Sequence, residues 1–512
     1  MERISPRRRP GRAPREAGAI SQRPWQQLTR PYKPVEPLSA DQVHAIHEAG
    51  LTILEEIGMR VLEPRARALY RSAGADVDES DMLVRFDRAM VMERISTAPP
   101  SFELRARNPE KNIKVGEQYC ILSSVGGPAY VMDNDRGRRT GTYAEMCDYL
   151  KLVQSFNVLH QEGGGPFEPL DLHPNTRHLD LYYAEITLLD KNWQPQTLGT
   201  GRVIDALEMA AISLGTVREN LAGEMPVFTG IINTNSPLQL DVHMAEGLIA
   251  LAEHEQVNVI TPFTLAGAMS PVALAGALAQ QHAEALAGIV LTQIVRPGVP
   301  VMYGGFTSNV DMRTGAPAFG TPEYAQAAQA TGQLCRLIGV PFRSSNVTAA
   351  NAVDAQAAYE SAMSLWGCLM GGANLVLHAA GWLGGGLTAS FEKLVIDCEM
   401  LQMMCAYFQP PQVDTETLAL DAVREIGPAG HFFGAAHTMK RYATAFYAPI
   451  VSNWDNYDTW IERVQVTARE RANTIWKRML AEYEQPPIDP RVDEALRDYM
   501  ERRKREGGSP LN

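Results

Sequence analysis

Residues 257–295 read VNVITPFTLAGAMSPVALAGALAQQHAEALAGIVLTQIV: a short apolar run, a turn of small residues, then a long Ala-rich stretch. The first part is typical of a buried strand and the last part of a helix. The same order recurs in four further segments, which begin near residues 225, 299, 339 and 373. Strands separated by helices predict βαβ units, and therefore a parallel sheet with right-handed crossovers.

The helices of these units are predicted around residues 240–254, 272–295, 322–337, 354–371 and 389–405. Because no G-x-G-x-x-G phosphate loop opens any of them, the succession favours a TIM (β/α)₈ barrel over a doubly wound sheet. In such a barrel the active site lies at the carboxyl ends of the strands. We therefore expect convergence of the loops that begin at Thr229, Thr264, Gly304, Ser344 and His378.

The rest of the chain is expected to surround this barrel with additional helical and mixed segments. Ser39 and the apolar positions after it predict an amphipathic helix, and SFELRARN and PAYVMDND predict strands. The predicted divisions are a basic disordered arm (1–36), a mixed α/β segment that packs on the barrel (37–150), the barrel (151–456), and helices with a tail (457–512).

Composition and charge restrict the classes of partner. The 47 Lys and Arg residues against 59 Asp and Glu give a net charge of −12, which argues against binding nucleic acid or an anionic membrane surface. The exception is the Arg-rich and Pro-rich arm, which is typical of a solvated tail or of an arm on a neighbouring subunit. Nucleic-acid binding by this arm is the minor alternative.

Targeting and metal-binding signals are weak. The N-terminal arginines are not followed by an apolar core and no run of about 20 apolar residues occurs, so we expect a cytoplasmic protein without a membrane span. The six cysteines include no C-x-x-C pair and are expected to be buried thiols. The sequence predicts no metal site.

Several catalytic motifs are missing from the sequence: H-E-x-x-H, a phosphate-binding loop ending in Lys-Ser/Thr, and G-x-S-x-G. The segment DVHMAEG, residues 241–247, nearly matches the D-x-H-x-x-G pattern through which a histidine ligates the cobalt of a corrinoid. Its glycine falls one position late and the segment lies in a predicted helix. We therefore do not expect His243 to bind cobalt.

Four other segments carry a family resemblance: LSADQVHAIHEAGLTILEEIG (38–58), PAYVMDNDRGRR (128–139), VDAQAAYE (353–360) and GANLVLHAAGWLGGGLTASFEKLVID (372–397). Together they resemble the trimethylamine methyltransferase family, from about residue 37 to the 470s. The resemblance implies a TIM barrel that transfers a methyl group from a methylated amine to the Co(I) corrinoid of a separate small protein. No cofactor is then expected on this chain alone.

The founding members of that family carry pyrrolysine just before the D-x-Q motif, at a position close to Asn351, and this chain does not. It therefore resembles the non-pyrrolysine branch, whose members look like demethylases of quaternary amines such as glycine betaine. A quaternary ammonium has no lone pair to protonate and already carries a neutral leaving group. Its demethylation needs positioning above all.

A permanent cation is expected to lie among aromatic faces, with a carboxylate nearby. Candidate substrate-binding residues are Tyr303, Phe306, Phe342, Asn346, Asp354, Gln356, Tyr359, Glu360, Trp382 and Phe391. Candidate catalytic residues are His378, Asn351 and Glu392. A carboxylate on the substrate would need a donor, for which His378, Asn346, Asn351, Gln356 and Arg343 are suitable.

Each of these candidates has a structural alternative. A histidine that ends an apolar strand is often a satisfied core residue, and aromatics at a barrel mouth are often packing. Asp354 could cap a helix, and Glu392 is a favourable carboxylate near a helix N-terminus.

The leading hypothesis is a methyltransferase that demethylates a quaternary or related amine and delivers the methyl group to a corrinoid protein. The alternatives are a methylated-amine-binding barrel with another acceptor, such as tetrahydrofolate, and a non-catalytic scaffold subunit. A homo-oligomer is expected. The sequence does not name the amine.

Overall fold

The computed structural model describes residues 20–463 and 465–511. Of the predicted basic arm, residues 1–19 lie outside the described part, whereas residues 20–36 lie against the body of the chain. Strand β1 (Leu28–Thr29) pairs antiparallel with Tyr119 and Cys120. The buried Arg30 guanidinium donates to the carbonyl of Ala373. Hydrogen bonds to the sheet thus hold this part of the chain in place. Its composition had predicted disorder, so the prediction is wrong for residues 20–36.

The segment that follows has short helices and strands. Its first helix begins where predicted, because the Ser39 hydroxyl accepts from the Gln42 amide and the Gln42 side chain accepts from the Ser39 amide. The elements are α1 Ala40–Thr52, β2 Met59–Val61, α2 Pro64–Ser72, β3 Asp76–Asp78, β4 Leu83–Arg85, α3 Arg88–Ile95, β5 Phe102–Leu104, β6 Ile113–Val115, β7 Tyr119–Ser124, β8 Tyr130–Asp133, β9 Gly137–Arg139 and α4 Tyr143–Ser155.

The central part alternates strands and helices as predicted. Its elements are α5 Arg177–Leu188, α6 Gly199–Ser213, β10 Thr229–Thr234, β11 Gln239–Leu240, α7 Val242–Glu253, β12 Val257–Ala266, α8 Leu274–Val295, β13 Val301–Gly304, β14 Phe306–Val310, β15 Pro317–Ala318, α9 Pro322–Ile338, β16 Phe342–Ser345, α10 Ala355–Gly371, β17 Leu375–Ala380, β18 Trp382–Leu383, β19 Thr388–Ser390 and α11 Phe391–Tyr407. All five predicted helices are present, with ends within about three residues of the expected ones.

The parallel strands of the central sheet form a strongly curled surface. Strand β7 pairs with β17, and the order continues through β16, β13, β12 and β10. Between β7 and β10, parallel bridges join Ser123 to Gln161, Gln161 to Asn192, and Trp193 to Phe228. Strand β7 lies in the segment 37–150, which was predicted to pack on the barrel. It nevertheless pairs in parallel with β17 and is therefore part of the central sheet.

Alternation of side chains sets the two faces of the sheet. Ile260, Tyr303 and Phe342 occupy one register across β12, β13 and β16. Ile260 fills the space beside Gly288 of α8, and the Tyr303 hydroxyl accepts from Gln281 of the same helix. The next register, which contains Thr261 and Arg343, faces the enclosed side instead.

The C-terminal part adds six helices in the described residues: α12 Thr415–Leu418, α13 Leu420–Ile426, α14 Ala436–Arg441, α15 Tyr457–Glu462, α16 Ala468–Ala481 and α17 Pro490–Arg505. All six cysteines are free thiols; Cys147 and Cys405 are half-buried and the other four are buried. Among the described helices, none combines the length and the apolar character that crossing a membrane requires.

Candidate active site

A cavity of about 640 Å³ opens at the carboxyl ends of the parallel strands. Residues of β10, β12, β16 and β17 line it, together with Phe306 just after β13 and residues of the turns after β10 and β12. The segments that begin at Thr264, Gly304 and His378 therefore meet there as predicted, whereas Thr229 begins strand β10 rather than a loop and the loop after Ser344 adds no residue to the wall. Its wall includes Asn233, Ser236, Thr261, Phe263, Phe306, Arg343, His378 and Trp382. Backbone of Gly126, Gly127, Gly163, Gly164 and Gly386 completes the rim.

Arg343 contributes a buried positive charge to this wall. Its side chain comes from β16 and is 2% exposed. Its Nε and Nη1 atoms have no hydrogen-bond partner among the described residues. Burial lowers the pKa of the guanidinium, although an arginine stays charged at physiological pH. A buried cation with free donors is costly unless an anion meets it, so this group is suited to bind one.

His378 reaches the cavity through an irregularity in β17. The register with β7 shifts between Val376 and Ala380, and His378 adopts a left-handed backbone conformation with φ of 55°. As a result, Leu377 and His378 both line the cavity although they are adjacent in the strand. Bulges commonly redirect side chains in this way next to active sites.

The protonation state of His378 follows from its surroundings. Burial, together with the positive charge of Arg343, holds its pKa well below the ordinary value of 6.5, so the ring is neutral. Nδ1 accepts a hydrogen bond from the Gly126 amide at 3.2 Å. The proton of the neutral ring therefore lies on Nε2, which has no hydrogen-bond partner among the described residues and can donate to a ligand.

Aromatic rings form one side of the cavity. Phe263 and Phe306 lie with centroids 5.2 Å apart, and the ring of Trp382 is 6.2 Å from Phe306 and 4.4 Å from His378. Phe319 packs behind them, 5.8 Å from Phe306 and 6.1 Å from Trp382. This cluster provides the aromatic surface that a bound organic cation requires.

The opposite side of the cavity is polar and is held by a buried carboxylate. Glu284 of α8 accepts hydrogen bonds from Thr234 Oγ1 at 2.5 Å, Ser236 Oγ at 2.7 Å and the Leu238 amide at 2.9 Å. These bonds fix the turn after β10, which forms this part of the wall.

Two glycines allow the rim to approach the cavity closely. A Cβ at Gly126 would lie 1.9 Å from the carbonyl oxygen of Gly163, so the two loops can touch only as backbone. A Cβ at Gly386 would lie 2.5 Å from the indole of Trp382. The absence of side chains therefore fixes the position of the rim and of Trp382.

The D-x-Q motif lies behind Trp382 rather than in the cavity wall. Asp354 caps α10 by accepting from the amides of Gln356 and Ala357. Gln356 donates to the buried Glu360, which in turn accepts from the Ala350 amide and the Thr348 hydroxyl. The carbonyl of Thr348 accepts from the indole of Trp382. The motif thus supports the loop that orients this ring.

The remaining predicted site residues also lie outside the cavity wall. Tyr303 and Phe342 face the surrounding helices, and the buried Asn346 donates to the carbonyl of Ala379. Asn351 and Tyr359 are exposed on the loop before α10 and on α10 itself.

Phe391 and Glu392 connect α11 to the C-terminal helix α16. Phe391 packs 4.8 Å from the ring of Trp476. Glu392 Oε1 accepts from Trp476 Nε1 at 2.9 Å, Asn473 Nδ2 at 2.8 Å and the Asn134 amide at 3.1 Å. Of the predicted set, the structure therefore brings Phe306, His378 and Trp382 together, joined by Arg343.

Sequence reasoning missed Phe263, Phe319 and Glu284. Phe263 lies in the segment VITPFTLAG at the end of a predicted strand, where the same rule that selected Phe306 would have found it. Phe319 follows a loop with no periodic pattern, and Glu284 is one polar residue within a long Ala-rich helix. His243, disfavoured as a cobalt ligand, lies in the first turn of α7 with Nδ1 3.6 Å from Glu246.

Comparisons with known proteins found a matching family and several relatives. The profile of the trimethylamine methyltransferase (MTTB) family matches residues 5–508. A glycine betaine methyltransferase of Desulfitobacterium hafniense (strain Y51) is 36% identical over 472 residues, which are 92% of this chain and 98% of that protein. A trimethylamine methyltransferase from another strain of that species is 26% identical over 92% of this chain and 94% of its own length. The crystal structure of Methanosarcina barkeri monomethylamine methyltransferase superposes with a TM-score of 0.48 at 9% identity, over 87% of this chain and 93% of that one.

Proposed function

Since this chain belongs to the trimethylamine methyltransferase family, we propose that it demethylates a quaternary amine that carries a carboxylate, such as a betaine. The methyl group passes to the Co(I) corrinoid of a separate protein. The observation that carries the proposal is Arg343, a buried guanidinium with free Nε and Nη1 in a cavity that also has aromatic walls.

A carboxylated substrate satisfies both features of the cavity at once. Its carboxylate pairs with Arg343 and accepts from Nε2 of His378, while its ammonium lies against aromatic faces. Because the guanidinium of Arg343 already lies over Phe306, the ammonium occupies the faces of Trp382 and Phe263 instead. Trimethylamine offers no carboxylate and would leave the buried charge of Arg343 unpaired.

The residues of this chain position the reaction rather than supply protons. One N–CH₃ bond breaks, and the tertiary amine leaves with the bonding electron pair, so no proton has to be transferred. The cavity wall holds one N-methyl group toward the mouth and shields the ammonium from water. The corrinoid, when its carrier is docked, supplies the two-electron nucleophile that accepts the methyl group.

The rim supports access by a broad partner group. A Cβ at Gly127 or Gly385 would meet no atom within 4 Å, so these backbone segments are open to the surroundings. Flat, side-chain-free backbone at a cavity mouth permits a planar macrocycle to approach closely.

The same proposal includes the complete barrel. The bridges at Gln161 and Asn192 occupy the two positions needed to continue β7 to β10, which would give eight parallel members. The helices α4, α5 and α6 follow in the order that such a barrel requires.

Turnover with defined amines tests the function. Purified protein is mixed with a Co(I) corrinoid protein and with glycine betaine, tetramethylammonium or trimethylamine, and the loss of Co(I) absorbance is followed together with the demethylated amine. We expect one equivalent of dimethylglycine from glycine betaine, or the corresponding tertiary amine from another betaine. Tetrahydrofolate in place of the corrinoid protein should give none.

An Arg343→Met variant is the matched control, because methionine keeps most of the volume without the charge. Turnover of trimethylamine or tetramethylammonium, with none of any carboxylated quaternary amine, would overturn the proposal.

A further inference from the structure

Residues 409–463, here called the aromatic segment, expose large side chains to an unusual degree. Phe433 is 86% exposed, Phe446 85%, Tyr457 71% and Trp454 70%. The short helices α12 to α15 within this segment bury little of their own surface. A stretch of more than fifty residues with this many exposed rings cannot gain its stability from internal packing alone.

The aromatic segment is nevertheless fixed to the body of the chain at its beginning and again at residues 447–451. Phe408, directly before it, is buried. Near its end, Glu399 of α11 accepts hydrogen bonds from the amides of Ile450 and Val451 and, at 2.8 Å, from the Tyr447 hydroxyl. These contacts hold the aromatic segment in one position on the body of the chain, and its four large rings are exposed.

A second apolar surface lies on the outer sides of α10 and α11. On α10, Tyr359, Met363 and Trp366 follow one another at helical spacing and are 63%, 43% and 37% exposed. On α11, Tyr407 is 52% exposed, and its ring lies 5.1 Å from that of Trp366. These residues form one continuous strip, here called the α10/α11 face.

The amount of exposed aromatic surface exceeds what an isolated chain normally carries. A Phe, Tyr or Trp side chain buries about 150–250 Å² when covered, so the four rings of the aromatic segment expose on the order of 600 Å². This summed area is as large as the largest apolar patch of a typical monomer, about 300–600 Å². With the α10/α11 face added, it approaches the roughly 800 Å² per partner of a stable interface.

We propose that two copies of this chain associate about a two-fold axis, with the aromatic segment of each copy packed on the α10/α11 face of the other. A single two-fold operation covers both surfaces in both copies, which is the property of an isologous interface. The aromatic segment leaves α11 at Tyr407, beside the α10/α11 face, and returns to the same helix where Tyr447 and Val451 donate to Glu399.

The location also favours a second copy over a protein that exchanges groups with the cavity. Helices α10 and α11 begin at the cavity end and run antiparallel to the strands, as βα units require. Trp366 and Tyr407 therefore lie toward the end opposite the mouth. A partner seated over Trp366 and Tyr407 would therefore lie away from the mouth of the cavity.

Molar mass and inter-copy cross-linking test the proposal. Light scattering of the full chain at micromolar concentration should give the mass of a dimer or of a multiple of it. The double variants Phe433→Ser/Phe446→Ser and Trp366→Ser/Tyr407→Ser should each halve that mass. Val272→Ser, which changes a side chain that is 72% exposed elsewhere, should leave it unchanged.

Cross-linking keeps the test valid if a double variant fails to fold. A chain with Phe433→Cys and a differently tagged chain with Trp366→Cys are mixed and oxidised, and a disulfide between the two tags is the expected product. A monomeric wild-type chain would overturn the proposal and assign the surface to another protein. A dimer that survives both double variants and gives no mixed cross-link would overturn it as well.

Discussion

The guanidinium carbon of Arg343 lies 5.2 Å from the centroid of the Phe306 ring, inside a cavity that offers several aromatic faces. A protein cation thus already occupies one face of the aromatic cluster. A bound ammonium must share the cavity with this charge, which repels simple cations and attracts zwitterions. Under the function proposed above, the pair is therefore expected to favour substrates in which an anionic group lies close to the ammonium.

Replacing Arg343 should change this selection. In Arg343→Met we expect glycine betaine, or whichever betaine is the substrate, to bind at least about 30-fold more weakly, since truncating one partner of a buried charge pair costs about 2–5 kcal/mol. Tetramethylammonium should bind as well as before or better. Calorimetric Kd values for both ligands measure the effect. Equal weakening for the two ligands would contradict a role in carboxylate recognition.

The indole of Trp382 should contribute directly to binding of the cation. Trp382→Leu is expected to weaken binding of a quaternary amine about 2-fold to 30-fold, the range that follows from a cation–π energy of about 0.5–2 kcal/mol. Trp382→Phe keeps an aromatic face and serves as the control, with a smaller loss expected. An uncharged isostere of the ligand, with carbon in place of the quaternary nitrogen, should bind Trp382→Leu and Trp382→Phe with similar Kd values.

Binding should be independent of the titration of His378 over the neutral range. Because burial and the charge of Arg343 hold the pKa of His378 well below 6.5, we expect the ring to stay neutral from pH 6 to 8.5. We expect the Kd of the substrate to stay constant across this interval. A change centred near pH 6.5 that disappears in His378→Asn would show that the imidazole is protonated in the free protein.

Glu392 is expected to act through stability rather than chemistry. Glu392→Ala leaves the Trp476 indole and the Asn473 amide without their acceptor and should lower the free energy of unfolding by about 2–5 kcal/mol. Glu392→Gln retains an acceptor oxygen and should recover most of that loss, as measured by urea unfolding. Turnover per folded molecule should change little in either variant. A catalytic carboxylate would instead lose activity in the stable glutamine variant.

His160 should make the fold sensitive to mild acid. Its Nδ1 accepts from the Leu122 amide, and burial lowers its pKa to about 4, below the ordinary 6.5. The unfolded chain therefore binds the proton first, so this stabilisation is complete above pH 6.5 and is lost as the pH falls toward 4. Between pH 7 and 5, the wild-type protein should lose about 2 kcal/mol more than His160→Gln, at about 1.4 kcal/mol per pH unit below 6.5. Parallel urea-unfolding curves for the two proteins at each pH would contradict this.

The order of strands and helices could be predicted because hydrophobic periodicity is a local property of the chain. The segments that pair with the sheet but have no apolar run could not be predicted in this way. Gln161 and Asn192 are polar residues that pair through single bridges, and β7 joins the sheet through β17, some 250 positions later in the chain. Contacts of this kind leave no local signal in the sequence.

The sequence could predict which strand ends carry the candidate site, but not which side chains there face the cavity. Phe306, His378 and Trp382 were selected because they end or follow predicted strands. Tyr303 and Phe342 were selected by the same rule, but they lie one residue from positions that face the cavity. Since side chains alternate along a strand, an error of one residue places a side chain on the opposite face. At Leu377 and His378, the bulge in β17 brings two neighbouring residues to the same side.

Because Gly386 lies against Trp382, the residue at position 386 controls how much space the cavity leaves for a ligand. Any side chain at position 386 must displace the indole, since even a methyl group would lie 2.5 Å from it. Among relatives and designed variants, a residue larger than glycine at this position should therefore accompany either a smaller residue at 382 or a different range of amines. Comparing the residues at positions 386 and 382 across relatives should therefore group these proteins by the size of the amine headgroup they accept.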